Sequence, residues 1–143
     1  QEFKLNPSDY NMVDKIYGEL IRMKKKGATI FNSSRFLESS RKFLKLEQRN
    51  WRCDAGSLYF SLDPGGNFSI CHHFQSERKL DHTLGSYLKS EQFKKHRREL
   101  VNSCVCCMRP CWMEITHLVH DASSFWEMMK IQFSMWQRQK FYS

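Results

Sequence analysis

Six cysteines are the residues in this chain best suited to chemistry, and they fall into two groups. Cys53 and Cys71 stand apart, with 17 residues between them, while Cys104, Cys106, Cys107 and Cys111 crowd into Cys-Val-Cys-Cys-Met-Arg-Pro-Cys. In a reducing compartment such thiols more often bind metal than form disulfides. The second group contains Cys104-x2-Cys107 and Cys107-x3-Cys111, short loops able to chelate one centre from two sides. Two thiolates from each group would complete a four-sulfur site, and all-sulfur surroundings select zinc or an iron–sulfur cluster. Structural zinc usually takes paired Cys-x2-4-Cys knuckles on both sides. The wide spacing of the first group suits reaching around a larger cluster, with zinc and unrelated buried thiols as the alternatives.

Other chemistry is sparse. No Gly-rich phosphate loop, Ser–His–Asp arrangement or HExxH occurs, and Asp81, Glu91 and Glu99 show no pairing suited to acid–base work. His72 and His73 directly follow Cys71. They read first as exposed loop residues and second as contacts to a metal-bound sulfur. Arg109 reads either as a donor to a cluster sulfide or as a surface charge. Trp112-Met113-Glu114 is expected to pack under the cysteine loop.

The elements that must position these thiols follow from periodicity. Residues 7–27 read as an amphipathic helix, capped by Ser8 or Asp9, with an apolar stripe of Met12, Val13, Ile16, Tyr17, Leu20 and Ile21. Gly27 is placed to stop it in the left-handed conformation. Ala28–Phe31 reads as a short buried strand, and Asn32-Ser33-Ser34 as the cap of a second helix carrying Phe36, Leu37, Phe43 and Leu44. Helix, strand and helix suggest a parallel α/β unit. From Trp51 the pattern changes. Residues 57–62 read as a strand, Asp63-Pro64-Gly65-Gly66 as a turn, and Asn67–Ile70 as the return strand. A hairpin of this kind returns its ends close together, which lets Cys53 and Cys71 converge. Leu84–Val101 reads as a helix with Tyr87, Leu88 and Phe93 on its apolar side. Residues 122–142 read as an aromatic-rich helix whose Phe125, Trp126, Met129, Phe133 and Trp136 are core or interface.

At 143 residues, with 41% hydrophobic and 14% aromatic residues, the chain is globular in composition. No apolar run approaches the roughly 20 residues of a membrane helix. The start, Gln1-Glu2-Phe3-Lys4, lacks the basic and apolar stretches of a signal peptide and an initiator Met, so a cytoplasmic fragment is expected. Lys and Arg outnumber Asp and Glu by 23 to 15, giving +8. The runs Lys24-Lys25-Lys26 and Lys94-Lys95-His96-Arg97-Arg98 are expected to form solvated helix faces, and no recognition motif accompanies them to indicate nucleic acid.

Cys53-Asp54-Ala55-Gly56, Leu62-Asp63-Pro64-Gly65-Gly66-Asn67 and Cys71 together resemble the Cys-x9–15-Gly-x4-Cys opening of the SPASM and Twitch domains of radical S-adenosylmethionine (SAM) enzymes. Leu84-Gly85-Ser86-Tyr87, the basic helix after it and Cys-x2-Cys-x3-Cys resemble that family's second half. The resemblance spans residues 50–114. Residues 1–50 resemble the last helix, strand and helix of the partial (β/α) barrel that precedes such a domain, and residues 115–143 would add a C-terminal helix. A full SPASM domain has more cysteines and a second cluster, so the shorter, single-cluster Twitch version is implied.

The resemblance implies an α+β chain: the end of a partial barrel, then a Twitch-like hairpin and helices around one auxiliary 4Fe-4S cluster. Cys53, Cys71, Cys104 and Cys107 are the first-choice ligands, Cys111 substitutes for either of the last two, and Cys106 is the bystander. The Cys-x3-Cys-x2-Cys motif that binds the SAM-cleaving cluster is absent. SAM and its own 4Fe-4S cluster would therefore belong to a barrel in cis or trans, and this chain alone would be inactive. The auxiliary cluster would relay an electron or anchor a peptide, protein or small-molecule substrate, and four protein thiolates favour the electron role. The alternative is a zinc-stapled basic module for nucleic acid or protein.

Overall fold

The computed structural model describes residues 5–45, 51–104 and 107–139. Two compact units form, Gln1–Trp51 together with Met108–Ser143, and Arg52–Cys107. The chain is α+β, with helices dominating and one small antiparallel sheet.

The first unit is helical. A 3-10 turn at Pro7–Asp9 leads into α1 (Tyr10–Lys25), and α2 (Ser34–Leu44) packs against it. Helix α1 ends as expected, with Gly27 at φ +94°. The amides of Gly27 and Ala28 return to Lys24 O at 3.0 Å and Met23 O at 3.0 Å, the paired bonds of a Schellman stop. Ser33 caps α2 by accepting from the Phe36 amide at 3.0 Å. The strand expected at Ala28–Phe31 does not form. Its backbone is satisfied locally instead: the Ile30 amide donates to Ala28 O at 2.9 Å, and Lys24 Nζ donates to Ile30 O at 3.0 Å. Phe31 is exposed, so a helix–turn–helix replaces the anticipated α/β unit.

After Met108 the chain adds α5 (Pro110–His120) and α6 (Ala122–Gln139) to this unit. Met113 of α5 joins Ile21, Phe36 and Leu37 in the core, with Tyr17, Leu20, Ile30, Trp51 and Met108 packed against it. Met113 therefore anchors the helical core. Glu114 accepts from the Ser33 amide at 2.8 Å, and Glu127 of α6 accepts from the Ser34 amide at 2.9 Å. Two carboxylates thus meet the positive end of α2. Lys24, its side chain only 8% exposed, lies 3.4 Å from Glu127, so one lysine of the expected solvated run is a structural residue. Phe125, Trp126, Met129, Phe133 and Trp136 of α6 are exposed.

The second unit contains β1 (Ser61–Leu62), β2 (Asn67–Ser69) and β3 (Arg78–Lys79) in the order β1-β2-β3. Ser61 pairs with Ser69 and Leu62 with Phe68, while Phe68 pairs with Arg78 on the other side. The turn between β1 and β2 is the one expected, with Gly66 at φ +76°. Asp63 ties it together, accepting from the Asn67 amide at 2.9 Å and Ser76 Oγ at 2.9 Å. Those bonds hold its carboxyl down at about 2. The helix expected over Leu84–Val101 is two helices, α3 (Leu84–Lys89) and α4 (Glu91–Ser103). Ser90 breaks it by taking an extended backbone and capping α4 through the Phe93 amide at 3.1 Å. Phe68, Ile70, Leu84 and Phe93 are buried, and the rings of Phe68 and Phe93 lie 6.1 Å apart.

Candidate metal centre

The first strand is shorter than its composition suggests, and the reason lies beside Cys53. The amides of Ser57 and Leu58 both donate to Asp54 O, at 2.9 and 3.0 Å, and the Gly56 amide donates to Tyr59 O at 2.7 Å. This tight turn needs Gly56, which sits at φ +75° with Arg97 and Ile70 side-chain carbons 3.2 Å from where a Cβ would be. Asp54, fully buried, holds Arg52 at 2.8 Å. Arg97 of α4 reaches inward to Ala55 O at 2.7 Å and lies 3.9 Å from Asp54. One residue of the second basic run is therefore a brace for the Cys53 loop, and periodicity alone does not separate it from its solvated neighbours.

Cys71 lies two residues beyond β2 and is buried. Burial pushes its thiol pKa up, and the nearby sulfurs of Cys107, Cys53 and Cys104 raise it further, against a backbone bond from His73 that lowers it. The hairpin, the end of α4 and the segment beyond it thus bring Cys53, Cys104 and Cys107 within electrostatic reach of Cys71. Cys111 belongs to the helical unit, as an exposed residue in the first turn of α5. Cys106 lies outside the described residues.

Side chains touch the sulfurs of Cys53 and Cys71. Tyr59 Oη lies 3.6 Å from Cys53 Sγ, and His72 Nδ1 lies 3.6 Å from Cys71 Sγ. Sulfur's large radius makes 3.6 Å a bonding distance. His72 is half-buried against the Cys71 sulfur, while His73 is exposed, its ring tilted against that of His72 at 3.9 Å between centroids. Sequence reasoning misses Tyr59, because a residue inside a supposed strand gives no sign that a turn will aim it at a cysteine six positions back. Arg109 lies over the Trp112 ring at 5.8 Å, in the helical unit.

The donor set is all thiol, and at neutral pH a raised thiol pKa leaves Cys71 protonated unless a cation is at hand; metal coordination deprotonates such a thiol outright. Among the described residues, no three His, Cys, Asp or Glu side chains are grouped tightly enough to hold one ion. A single zinc, with Zn–S bonds of about 2.3 Å, would draw its sulfurs to about 3.8 Å from one another. A four-iron cluster binds each thiolate through a different corner iron, and so asks for wider spacing. No helix among the described residues is long and apolar enough to cross a membrane.

A scan against protein-family models and searches of curated proteins and of solved structures found no match to this chain.

Proposed function

We propose that Arg52–Cys107 holds one auxiliary 4Fe-4S cluster through Cys53, Cys71, Cys104 and Cys107, in the service of a radical SAM enzyme. The observation that carries this reading is the gathering of Cys53, Cys104 and Cys107 around buried Cys71. When bound, the cluster would accept or pass on one electron from a substrate radical. With every corner iron taken by a thiolate, the protein leaves no open position for substrate, which favours this electron role over anchoring.

In the same proposal, SAM and its own cluster sit in a barrel in cis or trans, since the Cys-x3-Cys-x2-Cys motif is absent from this sequence. Residues 1–50 would be the last part of that barrel. Helices α1 and α2 support that assignment, and the turn at 28–31 does not. The substrate class is a peptide, protein or small molecule, and the net charge of +8 favours an acidic peptide or protein.

Anaerobic reconstitution should load about four iron and four sulfide per chain, with broad visible absorption that bleaches on reduction. Stoichiometric zinc in protein purified from iron-replete, oxygen-free cells would falsify the assignment and leave the zinc-stapled module in its place.

A further inference from the structure

We infer that Tyr59 and His72 set the reduction potential of the proposed centre by hydrogen bonding to two of its thiolates. This rests on the cluster reading above, and concerns residues that the ligand set does not include. Each bond comes from the same hairpin that carries its cysteine. The turn closed by Gly56 N–H and Tyr59 O folds the chain back on itself, so that Tyr59 Oη meets Cys53 Sγ at 3.6 Å. His72, the residue after Cys71, turns its Nδ1 to Cys71 Sγ at 3.6 Å, with the His73 ring tilted against it at 3.9 Å. Both side chains are half-buried.

A thiolate bound to iron has no proton to give. In that state the Tyr59–Cys53 contact can only be one in which the phenol O–H donates, and the His72–Cys71 contact one in which Nδ1–H donates. Taking up one electron adds negative charge that spreads over the cluster and its ligand sulfurs. A donor aimed at those sulfurs stabilises the reduced form more than the oxidised form, so it raises the potential. Half-burial strengthens each bond relative to one in open water. Tyr59 and His72 are therefore positioning and tuning residues, acting through Cys53 and Cys71 and touching neither iron nor substrate.

The test uses the whole chain, reconstituted anaerobically as wild type, Tyr59→Phe and His72→Phe, the second keeping a ring against His73. Iron and sulfide are counted first, and the potential is then measured by EPR-monitored redox titration. Each variant is expected to load as the wild type does and to shift to a more negative potential. The ratio of reduced to oxidised cluster at a fixed poise should fall about threefold per bond, where tenfold corresponds to 59 mV for one electron. Pulsed EPR of the reduced wild type after brief exchange into D2O gives a reading independent of how the variants load. Strongly coupled deuterons from the fast-exchanging side chains are expected, and their absence overturns the inference. Full loading with unchanged potentials in both variants overturns it too. A wild type that takes up no iron ends the cluster proposal itself, a different failure from either of these.

Discussion

The helical unit buries Ile21, Phe36, Leu37 and Met113 among α1, α2 and α5, and ties the stretch between α1 and α2 down with Lys24, Glu114 and Glu127. The sheet unit has strands of two, three and two residues, and a core centred on Phe68, Ile70, Leu84 and Phe93. Strands so short are not self-sustaining without a packed face. Most of this unit's polypeptide between Arg52 and Glu77 lies outside the strands, held by side chains such as Asp54, Asp63 and Arg97. It also spends a buried position on Cys71, whose thiol is pushed toward the neutral form. The contrast teaches that one unit has the makings of metal-independent stability, while the other sets buried Cys71, with thiols around it, beside a small apolar core. Binding at such a centre contributes folding free energy directly.

The largest effect should therefore separate the units. Cys71→Ser in the proposed site is expected to abolish iron binding and to lose the sheet unit's melting transition, while that of the helical unit persists. Met113→Ala should do the reverse. It would cost the helical unit about 2–5 kcal/mol by leaving a cavity, with iron content unchanged. Anaerobic calorimetry with parallel iron analysis checks both. Coupled loss of both transitions in either variant would break the comparison. Within the sheet unit the apolar contribution is read by Phe68→Ala. That side chain is fully buried between Phe60 and Phe93, and its truncation should cost about 3–5 kcal/mol in iron-loaded protein.

Local signals make much of this legible in the sequence. Gly27, Ser33 and the Asp63–Gly66 turn act through short-range backbone chemistry, and each ends or starts its element where the residue type demands. Cys53 and Cys71 can be grouped because a hairpin brings its ends together, whereas Cys104 and Cys107 join them only through the chemistry of a four-sulfur site. What stays hidden depends on partners distant in sequence. Ala28–Phe31 has strand-like composition, but a strand needs a neighbour, and Lys24 takes the Ile30 carbonyl instead. Periodicity gives Met113 and Glu114 no sign that α5 carries them into the helical core and onto the α2 terminus. Arg97 looks like its solvated neighbours because a run of charge does not say which member points inward. Tyr59 is the same failure at the candidate centre, since only the Gly56 turn gives it a direction.

Gly56 offers an intermediate effect that sharpens the picture of the sheet unit. A Cβ there would meet Arg97 and Ile70 carbons at 3.2 Å, on a residue already at φ +75°. Gly56→Ala is expected to cost about 1–3 kcal/mol through backbone strain and to displace the Arg97 brace. Because the same turn aims Tyr59, the variant should also weaken iron retention against a chelator. Gly18 in α1, by contrast, has nothing within 4 Å of where a Cβ would stand, and Gly18→Ala should stabilise the helical unit by about 0.5–1 kcal/mol. Opposite signs for the two substitutions in thermal melts are the expected result, and equal effects would contradict it.

The smallest effect lies in the helical unit and is read by pH. His117 of α5 is buried, and that burial, with Arg35 adding to it, pushes its pKa below the ordinary 6.5 while Asp121 pulls the other way. Above the unfolded value both the folded and unfolded forms carry neutral imidazole, so His117 contributes no pH dependence there. As pH falls below about 6.5, the unfolded chain takes up a proton that the folded chain resists, and stability is lost until the pH has passed the folded value. The lowered carboxyls do not confuse this window. Asp63 and Asp121, each held at about 2, keep their stabilising contribution above the ordinary carboxylate range and lose it only under stronger acid. Melting of the helical unit should therefore drop between neutrality and pH 5 in the wild type and drop less in His117→Gln, which keeps a polar side chain of similar size. A variant whose pH slope matches the wild type would show that His117 is protonated in the fold at no cost, and that the polar seam of α5 is more open to water than its burial indicates.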